Sequence, residues 1–352
     1  MKFGIVAMEP SAASAVEAAV TAENAGLDSV FWGDHWLGLF PPALFEDGTL
    51  ERPHRWYDPA ILIAAAAAAT STLKFGTVVT DIIRHHPADL AQTFLTLEEL
   101  HPGRVMLGVG AGEAENCIPY GLSYDRPVSH FAEMLPPLRA LLRGDWPVTV
   151  EGPRLKLDRA ALEVEPADVP IWIAAHGPRM LELTGRHADG WCPLRQSPRR
   201  YAASLATIRE TAKEAGRDPE VIEAGICINV LLADSEAEAR ELTNHPLLRA
   251  FGLWTSNAAF TGLGRTHPLG EHFYPMRDYL PSAYTREEAE RLVEQVPPEI
   301  VERVAIIGTP DQVAEEIRPY FDAGVEHLLL WDLAPFAGVK PGKVFDLAAA
   351  LK

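Results

Sequence analysis

Short apolar runs alternate with longer helical patterns along most of this chain, and this alternation restricts its fold more than any other feature. Strands are predicted at about residues 3–6, 29–32, 73–79, 105–109, 171–175, 190–192, 221–232 and 327–331. About eight strand–helix alternations without a linker favour a (β/α)8 TIM barrel over an open sheet. We therefore expect an α/β protein with one barrel domain over residues 1–352. Insertions are expected at about 36–57, 146–165 and 247–304, where the alternation is interrupted.

Charge and cysteine content restrict the partners and the compartment. A net charge of −18 argues against nucleic acid or an anionic membrane surface as the main partner. The three cysteines lie far apart without a CxxC spacing, which is typical of a reducing compartment. The first residues do not resemble a signal peptide, and the apolar run 61–69 is too short to span a membrane. The sequence predicts a cytoplasmic protein that has no membrane span and acts on a small molecule.

A glycine-rich stretch follows one predicted strand. The apolar residues 105–107 lead directly into the stretch Gly108–Asn116. Glycine lets a backbone approach a flat cofactor closely, and barrels bind ligands at the carboxyl ends of their strands. The dinucleotide fingerprint G-x-G-x-x-G is not matched, because Glu113 occupies its sixth position, and a plain strand-end turn is the alternative interpretation. The candidate cofactor contacts in this stretch are Ala111, Gly112, Glu113 and Asn116, the last as a donor to a ring carbonyl.

Two other predicted strands end in residues that are suited to chemistry. Asp34 and His35 follow the second strand, and histidine is the side chain best suited to proton transfer near neutral pH. Val78, Val79 and Thr80 end the third strand, where small and β-branched side chains can form a flat wall for a planar ring. A loop aspartate with a surface histidine, and an ordinary buried strand, are the alternatives for these two segments.

A fourth strand end, the segment Ala174–Arg179, places glycine and proline at the predicted start of a helix. His176 and Gly177 would lie where free N–H groups and the helix dipole favour a phosphate. Arg179 or Arg195 can supply a local positive charge that the acidic chain as a whole lacks. An ordinary strand–helix turn is the alternative interpretation.

Several motifs of other enzyme classes are missing. The chain has no Gly-x-Ser-x-Gly, no P-loop, no His-Glu-x-x-His and no Cys/His cluster. Serine hydrolases, NTPases and zinc enzymes are therefore disfavoured, and no metal centre is expected.

The motifs Gly33–His35, Gly110–Asn116 and Ala174–Met180, together with Gly308–Val313, resemble those of the bacterial luciferase-like superfamily. Within it, they resemble the branch that uses the deazaflavin coenzyme F420, and most closely its phthiodiolone ketoreductase-like members. The likeness covers nearly the whole chain. It implies a TIM barrel, usually a homodimer, that transfers a hydride between C5 of the deazaflavin and a carbonyl or alcohol carbon.

The resemblance also implies roles for individual residues. Asp34 would contact the deazaflavin, and His35 would face the substrate as general acid or base. Glu113 would lie beside the pyrimidine edge and C5 of the ring. The cofactor phosphate would be held at His176–Gly177. A non-prolyl cis peptide bond would fall at Val78–Val79, behind the ring.

Two further expectations concern the substrate. Glu9, at the end of the first strand, matches a family carboxylate near the substrate and is the third candidate catalytic residue after His35 and Glu113. Trp36 follows His35 directly, and the basic residues that bind a sugar phosphate in related dehydrogenases are not evident, so a phosphorylated sugar is disfavoured. The segment 36–56 suits an apolar substrate under a lid, or a dimer interface, because it contains Leu37, Leu39, Phe40, Leu44 and Phe45.

Two alternative functions remain open at this point. One is an FMN-dependent monooxygenase of the same superfamily, although those branches more often have an aromatic–Asn pair in place of Gly112–Glu113. The other is a flavin- or deazaflavin-binding protein without catalysis, which would not need His35 and Glu113.

Overall fold

The computed structural model describes residues 1–352, and eight parallel strands close into a barrel. The strands are β1 (Lys2–Val6), β2 (Ser29–Trp32), β3 (Lys74–Thr77), β4 (Thr80–Asp81), β5 (Val105–Gly110), β6 (Val148–Glu151), β7 (Lys156–Ala160), β8 (Ile171–Ile173), β9 (Gly190–Trp191), β10 (Glu223–Leu232), β11 (Ile306–Gly308) and β12 (His327–Asp332). The barrel order is β1-β2-β3-β5-β8-β9-β10-β12, and β12 pairs with β1 to close it. The predicted TIM barrel is confirmed.

Two short strands extend the barrel edge. The strand predicted at 73–79 is divided, because β3 ends at Thr77 and β4 pairs separately with β5. Val78 and Val79 lie between β3 and β4, and the peptide bond that joins them is cis, as predicted. Strand β11 pairs with the carboxyl end of β10.

Fourteen α-helices follow or interrupt the strands. They are α1 (Ala12–Asn24), α2 (Pro59–Ala69), α3 (Pro87–Leu100), α4 (Pro127–Leu142), α5 (Pro178–His187), α6 (Pro198–Glu214), α7 (Glu236–Leu242), α8 (Pro246–Gly252), α9 (Asn257–Thr261), α10 (Pro275–Asp278), α11 (Arg286–Glu294), α12 (Pro298–Val304), α13 (Pro310–Asp322) and α14 (Lys343–Leu351). Many begin at proline, whose missing N–H costs nothing in a first turn. Asp58 caps α2 by accepting the N–H groups of Ala60 and Ile61. No helix is both long and apolar enough to cross a bilayer.

The three segments expected as insertions adopt different structures. Residues 146–165 contain the antiparallel hairpin β6–β7, and residues 247–304 form the five helices α8 to α12. Residues 36–57 form a loop with a short 3₁₀ helix at Pro42–Phe45. Residues 36–57 and 247–304 contact each other, because the Tyr279 hydroxyl donates to the Leu39 carbonyl at 2.9 Å.

The buried apolar side chains form two cores on opposite sides of the barrel wall. Alternation along β1 shows the division, since Phe3 and Ile5 pack with the outer helices whereas Val6 belongs to the inner core. The outer core contains 65 buried residues and the inner core 30. The inner core continues from the barrel interior into both contacting insertions, where Phe40 and Phe251 are buried. The two insertions therefore cover the carboxyl end of the barrel.

Candidate active site

The candidate residues follow the carboxyl ends of five barrel strands. Glu9 follows β1, Asp34–His35 follow β2, Val78–Val79 follow β3, Glu113 follows β5 and His176 follows β8. Because these strands are parallel, the five segments lie at the same end of the barrel, which we call the mouth. This is the end at which barrel proteins bind their ligands.

His35 lies in a cluster of polar side chains contributed by the segment after β5. Its Nδ1 atom is 2.8 Å from Nδ2 of Asn116, 3.5 Å from Oε1 of Glu115 and 3.8 Å from Oε2 of Glu113. Nitrogen and oxygen atoms of His35, Glu113 and Glu115 all lie within 4.8 Å of one another. The structure therefore brings the predicted pair His35 and Glu113 together. Glu115, the third member of this cluster, was not predicted.

Glu115 is a buried acid without a hydrogen-bond partner. Its side chain is 1% exposed, and neither carboxyl oxygen is hydrogen-bonded. Burial raises the pKa of Glu115 well above its usual range, and the neighbouring Glu113 carboxylate raises it further. Both effects favour the neutral form of Glu115, which lies beside an oxygen of Glu113 that also has no partner.

Asp34 has the opposite environment. Its carboxylate is 2.9 Å from Nη2 of Arg84 and 3.1 Å from Nε2 of His85. Burial opposes ionisation of Asp34, but the hydrogen bond from His85 and the charge of Arg84 outweigh it and lower the pKa. The Arg84 side chain is fully buried and lies also 3.4 Å from Asp81. Asp34 is therefore a carboxylate fixed in orientation and charge.

One aromatic ring packs against the imidazole of His35. The Trp56 ring centroid is 4.3 Å from that of His35, and His54 lies on the other side of Trp56 at 4.9 Å. Burial lowers the pKa of His54 to about 3, so this second histidine is neutral. Trp56 also borders a small cavity that contains Glu9.

Glu9 does not join the His35 cluster. It has no side-chain hydrogen bond, and burial raises the pKa of its carboxyl group to about 7. It lines the small cavity beside Trp56 and a second cavity of about 240 Å³ between α1 and α14. Glu9 is therefore a partly exposed acid of raised pKa at the mouth, separate from His35 and Glu113.

Close packing explains one glycine within β5 and one that follows it. A Cβ atom at Gly108 would lie 1.9 Å from the Thr77 carbonyl oxygen. Gly112 has a φ of +69°, and a Cβ atom there would lie 2.3 Å from the Asp81 carboxylate. Only glycine fits at both positions without moving β3 or β4.

The residues predicted to contact the cofactor ring divide into accessible and buried groups. Val78, Val79, Ala111 and Gly112 are partly exposed and carry no charge, whereas Thr80 and Asn116 are buried. Asn116 was expected to donate to a ring carbonyl. Its Oδ1 atom instead accepts the N–H groups of Trp36 and Leu37, and its Nδ2 donates to His35.

The predicted phosphate-binding site, His176–Gly177, lies at the start of α5. Gly177 is its N-cap residue and gives no side-chain hydrogen bond to the first turn, and both His176 and Gly177 are exposed. Arg179 donates to the Ser129 hydroxyl and Arg195 to the Arg303 carbonyl oxygen, and neither guanidinium pairs with a carboxylate. Partial loss of solvent around the imidazole, and then the charge of Arg200, lower the pKa of His176. Arg200 is thus a further cation near His176, and it was not predicted.

Part of the apolar segment 36–56 packs in the interior of the protein. Leu39, Phe40 and Leu44 are buried in the inner core, whereas Leu37 and Phe45 are partly exposed. The first group therefore offers no free surface to a partner molecule.

Sequence reasoning missed Glu115, Arg84, His85 and Trp56 among the residues that build this site. Glu115 is two residues after Glu113, and Arg84–His85 follow a strand end like the residues that were recognised. Their positions after strands were therefore a usable signal. Trp56 lies in a long loop, and nothing in its local sequence indicates contact with His35.

The fold and the His35 cluster define a (β/α)8-barrel protein with ionisable groups gathered at its mouth. The chain belongs to the luciferase-like monooxygenase family, whose model matches residues 1–327.

Individual relatives have narrower descriptions. The phthiodiolone/phenolphthiodiolone dimycocerosates ketoreductase of Mycobacterium kansasii is 33% identical over 324 residues, which cover 88% of each chain. The F420-dependent glucose-6-phosphate dehydrogenase of Nakamurella multipartita is 32% identical over 88% of this chain and 84% of its own. Among solved structures, an F420-dependent secondary alcohol dehydrogenase in complex with an F420-acetone adduct superposes with a TM-score of 0.76. It is 25% identical and covers 100% of this chain and 99% of its own.

Proposed function

We propose that this protein is an F420-dependent oxidoreductase that interconverts a ketone and a secondary alcohol on an apolar substrate. The observation that carries the proposal is the contact of His35 with Glu113 at the barrel mouth, 3.8 Å apart. Relatives described as a ketoreductase and as a secondary alcohol dehydrogenase support the reaction class. Two of these relatives are described as F420-dependent, which supports the cofactor.

The residues at the mouth fit a deazaflavin with an anionic tail. Val78, Val79 and Ala111 offer a partly exposed wall without charge beside the glycine backbone. The uncapped start of α5 at Gly177 offers N–H groups to a phosphate, with Arg200 nearby. When bound there, coenzyme F420 would supply or accept a hydride at C5 of its ring.

The reaction also needs a proton at the substrate oxygen, and His35 is suited to handle it. Nε2 of His35 has no hydrogen-bond partner within the protein and is not enclosed, whereas Nδ1 faces Asn116. In the direction of reduction, His35 gives a proton to the oxygen as the C–H bond forms. Glu113 and Glu9 are the two further acids at the mouth, and Asp34, held ionised by Arg84 and His85, orients the cofactor.

Aromatic side chains at the mouth support an apolar substrate. Trp56 packs beside His35, while Trp36 and Tyr57 are 50% and 37% exposed. No cluster of arginines or lysines adjoins Glu9 in the two cavities, where Arg55 is the one cation. These surroundings suit an aliphatic or aromatic ketone better than a phosphorylated sugar.

Cofactor titration tests the proposal directly. We expect F420 to bind with quenching of its fluorescence and FMN to bind at least tenfold more weakly. Turnover of reduced F420 with a panel of apolar ketones is then expected. Stronger binding of FMN with oxygen uptake would instead identify a monooxygenase, and F420 binding without any turnover would identify a binding protein.

Replacement of His35 by alanine tests the assigned role. We expect turnover to fall by about 10²–10⁴-fold, the usual contribution of a general acid, while F420 affinity changes less than about threefold. The matched control is His86→Ala, since His86 is an exposed cap of α3 outside the cluster. Loss of F420 binding in His35→Ala would show that His35 holds the cofactor instead.

A cytoplasmic homodimer remains our prediction for this chain. The observation that favours self-association is the exposed face of α2, where Ile61 is 69% exposed beside small apolar residues.

A further inference from the structure

The hydrogen bonds of Asn116 leave only one way to place its amide group. Its Oδ1 atom lies 2.8 Å from the backbone nitrogen of Trp36 and 3.1 Å from that of Leu37. Backbone N–H groups can only donate, so the atom that faces them must be the carbonyl oxygen. The orientation of the amide therefore follows from chemistry and not from a choice between two similar atoms.

This orientation determines whether Nδ1 of His35 donates or accepts a hydrogen bond. The Asn116 Nδ2 group lies 2.8 Å from Nδ1 of His35, and an amide NH₂ can only donate. Nδ1 must therefore accept, which requires that it carries no proton. In a neutral imidazole the proton then resides on Nε2, the atom without a partner inside the protein.

We propose that Asn116 is a positioning residue that holds neutral His35 in the tautomer protonated at Nε2. The tautomer itself does not depend on the proposed function, whereas its use as the donor to a substrate oxygen does. Asn116 is only 2% exposed and ties the loop after β2 to the segment after β5, so the ring cannot easily exchange this contact for another.

Other ionisable groups also face His35. Glu115 and Glu113 lie 3.5 and 3.8 Å from Nδ1, and His54 lies behind Trp56. None of these is as close to Nδ1 as the Asn116 amide at 2.8 Å. The Glu113 carboxylate would favour a proton on Nδ1, so Asn116 is the group that opposes it.

The first measurement uses the unmodified protein without cofactor or substrate. Nitrogen-15 NMR of the histidine rings, with His35→Gln to assign the signal, is expected to show an unprotonated Nδ1 and a protonated Nε2 at pH 8. A proton on Nδ1 would overturn the proposal, and this outcome does not depend on whether the protein uses F420.

The second measurement uses Asn116→Asp. The aspartate still accepts from Trp36 and Leu37 but also accepts from His35, so it moves the neutral-ring proton to Nδ1. Ketone reduction then needs the doubly protonated ring. We expect the ratio of reduction rates at pH 6 and pH 9 to rise at least tenfold over that of the unmodified protein.

The matched control is Asn257→Asp. The Oδ1 atom of Asn257 likewise accepts a backbone N–H, that of His267, but does so in the insertion 247–304, away from His35. The rate ratio of this control should remain unchanged. An unchanged ratio in Asn116→Asp as well would show that Asn116 serves only to fasten the loop, and would overturn the proposal.

Discussion

Asp34 and Glu115 are two buried carboxyl groups at one barrel mouth, and their surroundings favour opposite protonation states. Asp34 is 10% exposed and Glu115 is 1% exposed, so both have lost most of their water. Arg84 and His85 compensate the charge of Asp34, whereas the neighbour of Glu115 is another acid. Burial alone therefore does not decide ionisation, since the charge of the nearest partner does.

The largest effect is expected on stability, when Arg84, the cation beside Asp34, is replaced. Arg84→Met leaves Asp34 and Asp81 buried without their counter-charge. Breaking a buried ion pair from one side costs about 3–5 kcal/mol, and we expect a loss of this size in the free energy of unfolding measured with urea.

Arg186→Met is the matched control for this experiment. Arg186 pairs with Glu182 on the surface of α5 and is 43% exposed, so its removal should change stability by less than about 1 kcal/mol. If Arg84→Met costs no more than this control, Asp34 and Asp81 do not depend on a buried counter-charge, and the contrast with Glu115 fails.

A medium effect is expected in the pH dependence of stability. The folded-state pKa of Glu115 is raised above 4.5, so the folded protein binds more protons than the unfolded chain between these two pKa values. Stability contributed by this group therefore falls as pH rises above about 4.5, by at most about 1.4 kcal/mol per pH unit. Glu115→Gln removes this slope, and urea unfolding at pH 5, 6 and 7 measures it.

Asp34→Asn is the comparison variant in the same measurement, because the titration of Asp34 lies below the pH range used. Because its folded-state pKa lies below 3.8, Asp34 contributes stability above that pH and loses it on acidification. As pH rises from 5 to 7, the free energy of unfolding of Glu115→Gln should increase relative to that of the unmodified protein. That of Asp34→Asn should not. Equal slopes in all three proteins would refute the assigned protonation states.

The smallest effect is expected on turnover. Since burial and Glu113 favour the neutral form of Glu115, Glu115→Gln preserves the charge and shape of that form, and F420-dependent ketone reduction should change by less than about threefold. Glu113→Gln, which alters a predicted catalytic residue, should reduce the rate by at least tenfold. A tenfold loss in Glu115→Gln would mean that Glu115 acts as an ionised or proton-transferring group.

Local signals accounted for much of the fold. Helix α5 begins at Pro178, within the segment where the sequence predicted a helix start, because proline favours the first turn of a helix. The barrel followed from the repeated strand–helix order. The division of the strand at Thr77 was not predictable, because the β-branched residues, which favour strands, continue from Thr77 through Val79.

The candidate site was predictable where function follows a strand end, as at His35 and Glu113. The residues that contact these side chains were harder to recognise, because such contacts depend on the direction in which each side chain points. Asn116 illustrates this limit: its sequence position suggested a ligand contact, while its amide turns inward to His35 and two backbone N–H groups. Arg84 is similar, since only the three-dimensional structure brings it between Asp34 and Asp81.

The contact between the two insertions has a consequence for how such a barrel can diversify. Tyr279 reaches Leu39 across 240 residues of sequence, and Arg286 pairs with Asp47 at 2.6 Å. Grafting 247–304 alone onto another barrel would leave the Tyr279 hydroxyl without its acceptor, and grafting 36–57 alone would leave the Asp47 carboxylate without Arg286. Either graft would also uncover apolar side chains that the two segments bury together. New substrate preferences in this architecture should therefore arise through paired exchange of both segments, and a chimera carrying only one should express poorly.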